Sequence, residues 1–205
     1  LSPTIEDARL IVLGEAPGPR EEELGDYFVG ATGRFMQRNI ERNGTAWEAV
    51  QKENVLRCRP DRLLTPKEWT QAAKCCRPHI DKLLRRHKHT HVVLALGKLA
   101  MQAVTGRQDL TSWFGAPMKG KRPFHKTRVV ATFHPAFAMR KGKRAYLPAI
   151  AICIQRATLM SRRRLKPWKW PKIITTPGPE LLAALQRMLQ DKVRVGVDIE
   201  NPGNI

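Results

Sequence analysis

The chain has 205 residues, 42% hydrophobic and 27% charged, with 37 Lys and Arg against 18 Asp and Glu for a net charge of +19. That length allows one full α/β domain and part of another, and no stretch approaches the roughly 18 apolar residues of a membrane helix, so a soluble protein without a membrane partner is expected. Residues 1–30 hold two basic and seven acidic side chains, which leaves +24 on the remainder; such an excess points to a polyanionic partner, because Lys and Arg displace condensed counterions from phosphates, with a merely basic surface as the alternative.

Residues 8–13 (ARLIVL) are a short apolar run stopped by Gly14, the pattern of a buried parallel strand feeding a loop. From Gly14 to Gly33 the loop passes through five glycines and two prolines and holds seven acidic or aromatic side chains. Glycine permits close backbone approach to a ligand, so the loop reads as functional, with a long surface turn as the alternative. Further strands are expected at 53–56, 91–96 (HVVLAL) and 127–133 (TRVVATF), and helices at about 34–43, 66–87, 97–105 and 145–160. This alternation predicts an α/β fold with a mainly parallel four-stranded sheet covered by helices on both faces. Three of the four strands run out at Gly14-Glu15, Gly97-Lys98 and His134-Pro135, the carboxyl ends where open α/β sheets place ligands.

Residues 161–176 carry six basic and no acidic side chains among Pro and Trp and read as a linker. Beyond it, Leu181, Leu182, Leu185, Met188 and Leu189 have helical spacing over 179–191, and 193–199 is a fresh strand. The expected domains are therefore 1–160 and the beginning of another at 177–205. A chain that starts at Leu1 and stops just after a strand is expected to be a piece of something longer.

The run Gly14-Glu15-Ala16-Pro17-Gly18, followed by Gly25-Asp26-Tyr27-Phe28-Val29-Gly30-Ala31-Thr32-Gly33, resembles the first motif of the family 4 uracil-DNA glycosylases. Asn54-Val55-Leu56-Arg57-Cys58-Arg59-Pro60, with Pro66, Glu68 and Cys76-Arg77-Pro78-His79-Ile80, is similar to that family's second block. Leu96-Gly97-Lys98-Leu99-Ala100 resembles its next strand-to-helix turn, and His134-Pro135-Ala136-Phe137-Ala138-Met139-Arg140 its His-Pro-Ser motif. Together the matches span residues 8–160 in family order. Three positions depart from the pattern: Tyr27 stands where the family has Pro, Thr32 where it usually has Ala, and Ala136 where a Ser could donate to phosphate.

The resemblance implies a uracil-DNA glycosylase-like three-layer αβα sandwich and a DNA-repair N-glycosyl hydrolase that flips uracil out of single- or double-stranded DNA and leaves an abasic site. It implies that Glu15 orients or activates the attacking water and stabilises the oxocarbenium-like sugar. Phe28 would stack on the extruded base, Asn54 would read its Watson–Crick edge, and His134 would donate to uracil O2 as negative charge builds. Gly14 and Ala16 would line the base pocket, and Arg140, Lys141, Lys143 and Arg144, near Phe137 and Met139, would grip phosphates beside an apolar wedge. The plainer alternatives are a solvated loop acid, a core aromatic, a turn-forming Asn and a solvated basic face.

Cys58, Cys75, Cys76 and Cys153, without a signal-peptide pattern, argue for a reducing compartment, the cytoplasm, rather than a secreted disulfide scaffold. Family 4 enzymes hold a four-iron, four-sulfur cluster on four cysteines. The resemblance assigns Cys58 and Cys76 to it, places the other two ligands upstream of Leu1, and leaves Cys75 as an extra thiol; loss of the cluster is the alternative. Cys153 has the helical spacing of a packing residue beside Leu147, Ile150 and Ile154. In the tail, Val195-Gly196-Val197-Asp198-Ile199-Glu200 resembles the first motif of DEDD-type 3′–5′ exonucleases, with Asp198 and Glu200 on one side of a strand. A monomer fused to an exonuclease or polymerase module is therefore expected. The rival functions are a catalytically silent DNA-binding module of the same fold and a basic RNA-binding or scaffold protein.

Overall fold

In a computed structural model, which describes residues 8–86, 89–122, 124–162 and 179–190, the apolar runs lie at the centre of one sheet. Its strands are β1 (Leu10–Gly14), β2 (Gln51–Asn54), β3 (Val92–Leu96), β4 (Pro117–Lys119) and β5 (Arg128–Thr132), in the order β2-β1-β3-β5-β4. The first four in that order run parallel, and β4 pairs antiparallel with β5 at the edge. The helices are α1 (Pro19–Leu24), α2 (Ala31–Arg42), α3 (Pro66–Arg86), α4 (Lys98–Thr105), α5 (Pro135–Ala138), α6 (Leu147–Arg162) and α7 (Pro179–Gln190).

Every residue of β1 and β3 is buried, which is why both read as unbroken apolar runs: parallel strands between two helical layers have no solvent face. On one face Leu10, Val12, Leu94 and Leu96 pack with Met36 and Ile40 of α2 and with Ile150, Cys153, Ile154 and Ala157 of α6. On the other, Ile11, Leu13, Val93 and Ala95 pack with Ile80 and Leu83 of α3 and Ala100, Met101 and Val104 of α4. The result is the expected three-layer αβα arrangement with five strands rather than four. The missed strand, Pro117–Lys119, is three residues long and opens on Pro, too short to show a period. β2 lies two residues upstream of its expected place and ends on Asn54.

Local chemistry sets the helix ends. At α3, the Thr65 N–H donates to Glu68 Oε2 at 2.8 Å and the Glu68 N–H returns to Thr65 Oγ1 at 3.4 Å, a capping box in front of Pro66. Pro78 sits inside α3 and removes one rung of its ladder. α1, of six residues, and α5, of four, are short elements that the apolar period did not announce, and α6 runs on to Arg162, so the first two residues of the expected linker are helical.

The chain divides into two units, Leu1–Leu165 and Lys166–Ile205. The described part of the second is α7, where the leucine spacing predicts a helix. Linker residues 163–176 and the strand at 193–199, with Asp198 and Glu200, lie outside the described residues. Among the described residues no helix is long and apolar enough to cross a membrane.

Gly33, in the first turn of α2, fixes how the preceding loop meets the sheet. A Cβ there would lie 1.4 Å from the Phe28 carbonyl oxygen and 2.9 Å from Phe28 Cβ. Gly33→Ala must displace backbone, and overpacking of this kind costs about 3 kcal/mol, a fall in Tm of roughly 6–12 °C at this chain length. Thermal unfolding followed by circular dichroism checks this; a Tm within a degree or two of wild type would show that the loop yields freely.

Candidate functional site

The parallel register levels the strand ends. Gly14 of β1 stands opposite Asn54 of β2, and Leu96 of β3 opposite Thr132 of β5. Strands lie about 4.8 Å apart, so the residues that follow these ends form one crest across four strands. Glu15, Asn54, Gly97 and His134 all come from it.

The side of the crest that faces α2 and α6 is built around an absent side chain. An ideal Cβ on Gly14 would lie 2.2 Å from Asn54 Oδ1 and 3.0 Å from Phe28 Cζ. The Asn54 amide and the edge of the Phe28 ring therefore converge over bare backbone. Asn54 is 3% and Phe28 9% exposed. Trp47 stands edge-on to Phe28, with ring centroids 6.5 Å apart and planes at 78°. Phe28 has φ 57°, the one positive φ among the described non-glycine residues.

Glu15 belongs to the opposite side, over the start of α4. Its Oε1 accepts the Leu99 N–H at 3.3 Å. Gly97, at φ 93°, makes room for it, since a Cβ there would fall 2.2 Å from that oxygen. Burial raises the Glu15 pKa above the ordinary carboxylate value, and the Leu99 N–H offsets part of the rise.

His134 caps α5, its Nδ1 accepting the Ala136 N–H at 3.3 Å. With Nδ1 an acceptor, the proton of the neutral ring sits on Nε2. Burial lowers the His134 pKa to about 4, against an opposing pull from Glu21 and with help from Arg140. The imidazole is thus neutral at physiological pH and presents one N–H donor.

The arrangement gathers a carboxylate of raised basicity, a neutral imidazole donor, a buried amide and an aromatic ring at one crest. Ala16 instead packs against the apolar cluster on the α3–α4 face. A separate cleft of about 340 Å³ on that face, lined by Val55, Trp69, Arg77, Leu99, Gln102 and Lys121 among others, contains none of Glu15, Phe28, Asn54 or His134. Arg140, Lys141, Lys143 and Arg144 are all exposed just beyond α5. Phe137 does not stand free as a wedge: its ring packs on Phe133 at 5.6 Å and on Tyr146 at 5.5 Å.

Cys58 is exposed and Cys76 half-buried. The 3.2 Å contact between Arg57 Nη1 and His79 Nδ1 draws their neighbourhoods together, since Cys76 lies one helical turn before His79. Cys153 is buried in the cluster on the other side of the sheet. Among the described residues no group of three or more His, Cys, Asp or Glu could hold a metal ion. They therefore do not by themselves complete a four-thiolate cluster site.

Three contributors were not apparent in the sequence. Leu99 acts through its backbone N–H and Trp47 through ring geometry, which no residue pattern announces. Glu53 is a buried carboxylate whose Oε1 accepts the Tyr27 hydroxyl and, at 3.0 Å, the Asn54 N–H.

Comparison with known proteins agrees with this geometry. The pattern of the uracil DNA glycosylase superfamily matches residues 3–156. The chain is 35% identical over 140 residues to the type-4 uracil-DNA glycosylase of Archaeoglobus fulgidus, spanning 64% of this chain and 67% of that protein. It is 30% identical over 137 residues to the type-4 enzyme of Pyrobaculum aerophilum, spanning 64% and 68%, and 30% identical over 141 residues to that of Thermotoga maritima, spanning 65% and 68%. A match over most of the chain, joined to a parallel crest that carries the motif residues, places this protein in the uracil DNA glycosylase superfamily.

Proposed function

We propose that the protein removes uracil from DNA by hydrolysing the N-glycosidic bond and leaving an abasic site. The convergence of the Asn54 amide and the Phe28 ring over Gly14 carries this reading, because it brings a group able to read the edge of a base beside a ring able to stack on its face. A base reaches such a pair only by leaving the stack, which costs least in a single strand or a mismatch.

In the bound state Phe28 covers the base and Asn54 presents a donor and an acceptor to its edge. The Leu99 N–H holds Glu15 Oε1, leaving Oε2 to face a water molecule. As the C1′–N1 bond breaks, the carboxylate accepts a proton from that water while the oxygen attacks C1′. The departing electrons spread over the uracil ring, and the His134 Nε2–H donates to O2, where negative charge accumulates. The exposed cations at 140–144 neutralise flanking phosphates. Cys58 and Cys76 are the two thiols this chain would offer an iron–sulfur cluster.

A uracil-containing oligonucleotide incubated with the protein and then treated with alkali is expected to break at the uracil. Intact oligonucleotide, with binding retained, would mean a silent DNA-binding module. Glu15→Gln is expected to lower kcat by about 10²–10⁴, and His134→Ala by about 10²–10³. Asn54→Asp, which offers acceptors to the cytosine amino group, is expected to gain release of cytosine; unchanged substrate choice would remove Asn54 as the reader.

The acid limb of kcat/KM follows from the two shifts. Glu15 must be ionised and its pKa is raised, so activity falls with acid at a midpoint above 4.5. His134, at about 4, does not charge until the pH is lower still. A limb centred at or below 4.5, or one that persists in Glu15→Gln, would show that another group controls it.

A further inference from the structure

We infer that Tyr27 and Glu53 form a brace that sets the position of the base-holding pair, tying the loop that carries Phe28 to the strand end that carries Asn54. This rests on the reading of Phe28 and Asn54 given above. One carboxylate oxygen makes the link. Glu53 Oε1 accepts the Tyr27 hydroxyl and also the Asn54 N–H. Tyr27 and Glu53 each precede one member of the pair in sequence, and each is 7% exposed.

A carboxylate in such a place is expensive unless its oxygens are engaged. Here two donors share Oε1, and Arg57 lies close enough for its hydrogen bond and positive charge to act on Tyr27. Burial first, and then Glu53, hold the Tyr27 hydroxyl well above the usual phenol range, so it remains a donor at any physiological pH.

The site needs such a brace. Phe28 has φ 57°, which an aromatic residue does not hold unaided. Gly33 fits closely against its carbonyl, and the Tyr27 hydroxyl anchors the residue before it. Uracil and cytosine differ only in which edge atoms donate and accept, so an amide free to drift by a fraction of an ångström reads both. Tyr27 and Glu53 are accordingly positioning residues that act through Phe28 and Asn54.

The test compares the full chain with Tyr27→Phe, Glu53→Ala and Glu53→Gln at a temperature where melting curves show each folded. Two readouts are taken: KM and kcat on a single-stranded uracil oligonucleotide, and affinity for the same oligonucleotide carrying uncleavable 2′-fluorodeoxyuridine or deoxycytidine at that position. Tyr27→Phe and Glu53→Ala are expected to lower the uracil-to-cytosine affinity ratio about tenfold and to raise KM more than they lower kcat. Glu53→Gln, whose amide oxygen still accepts both bonds, is expected to keep the ratio within about twofold of wild type. Tyr27→Phe with the wild-type ratio and KM overturns the brace, and it keeps the test decisive if Glu53→Ala does not fold. If wild-type protein releases no uracil, the catalytic reading fails while the affinity ratio still decides the brace. If wild type does not discriminate in binding either, the brace falls as well.

Discussion

The site depends on a side chain that is missing. β1 ends on Gly14, and the space a Cβ would fill is taken by Asn54 Oδ1 and the tip of Phe28. That contact exists because β1 and β2 are parallel neighbours in a register that sets Gly14 opposite Asn54. In-register residues of adjacent parallel strands point to the same face, so a slip of one residue would turn the amide away from the ring. The two apolar clusters that sandwich the sheet hold this register: alternate residues of β1 are committed to opposite faces, Leu10 and Val12 to one and Ile11 and Leu13 to the other. Core packing and site geometry are therefore one constraint met twice.

The same device recurs at Gly97, where bare backbone at φ 93° admits the Glu15 carboxylate to the start of α4. Two glycines, at the ends of adjacent strands, open the two sides of the crest. One side receives an amide and a ring, the other an acid. The base and the water would thus be approached from different layers of the sandwich, with the sheet edge between them as a rigid floor. Strands and helix starts keep such groups in place better than a loop alone does.

How much of this could be read in the sequence follows from what each part is made of. β1, β3 and β5 are buried on both faces, and their composition says so. β2 (QKEN) is buried with polar residues, Gln51 at 4%, Glu53 at 7% and Asn54 at 3% exposure. An apolar pattern therefore slides two residues onward to Val55 and Leu56. The polar burial is made tolerable by partners distant in sequence, such as Tyr27 across 26 residues, and no local rule reaches that far. Glu15, Asn54 and His134 stood out as candidates through motif wording and their places at strand ends, and Phe28 through motif wording alone, since it lies in the loop between α1 and α2. Their orientations were not, since those rest on absent Cβ atoms, a backbone N–H and the tautomer of one imidazole.

Burial does opposite things to the two titratable groups at the crest, and the opposition suits the chemistry. A desolvated carboxylate binds a proton more readily and a desolvated imidazole less readily. Glu15 is moved up and His134 down to about 4, so each is driven toward its neutral form. For the acid this means greater basicity of the carboxylate form, as removing a proton from water requires. For the imidazole it means a ring that donates a hydrogen bond without carrying a charge that would have to be buried before substrate arrives. In a chain of net charge +19, a nearby lysine or arginine would hold Glu15 low and make it a poorer base. No ion pair with Glu15 forms among the described residues, and the Leu99 N–H orients the carboxylate with only a partial offset to its rise. Among the described residues the basic surplus thereby makes no ion pair with the one carboxylate whose basicity the reaction would use.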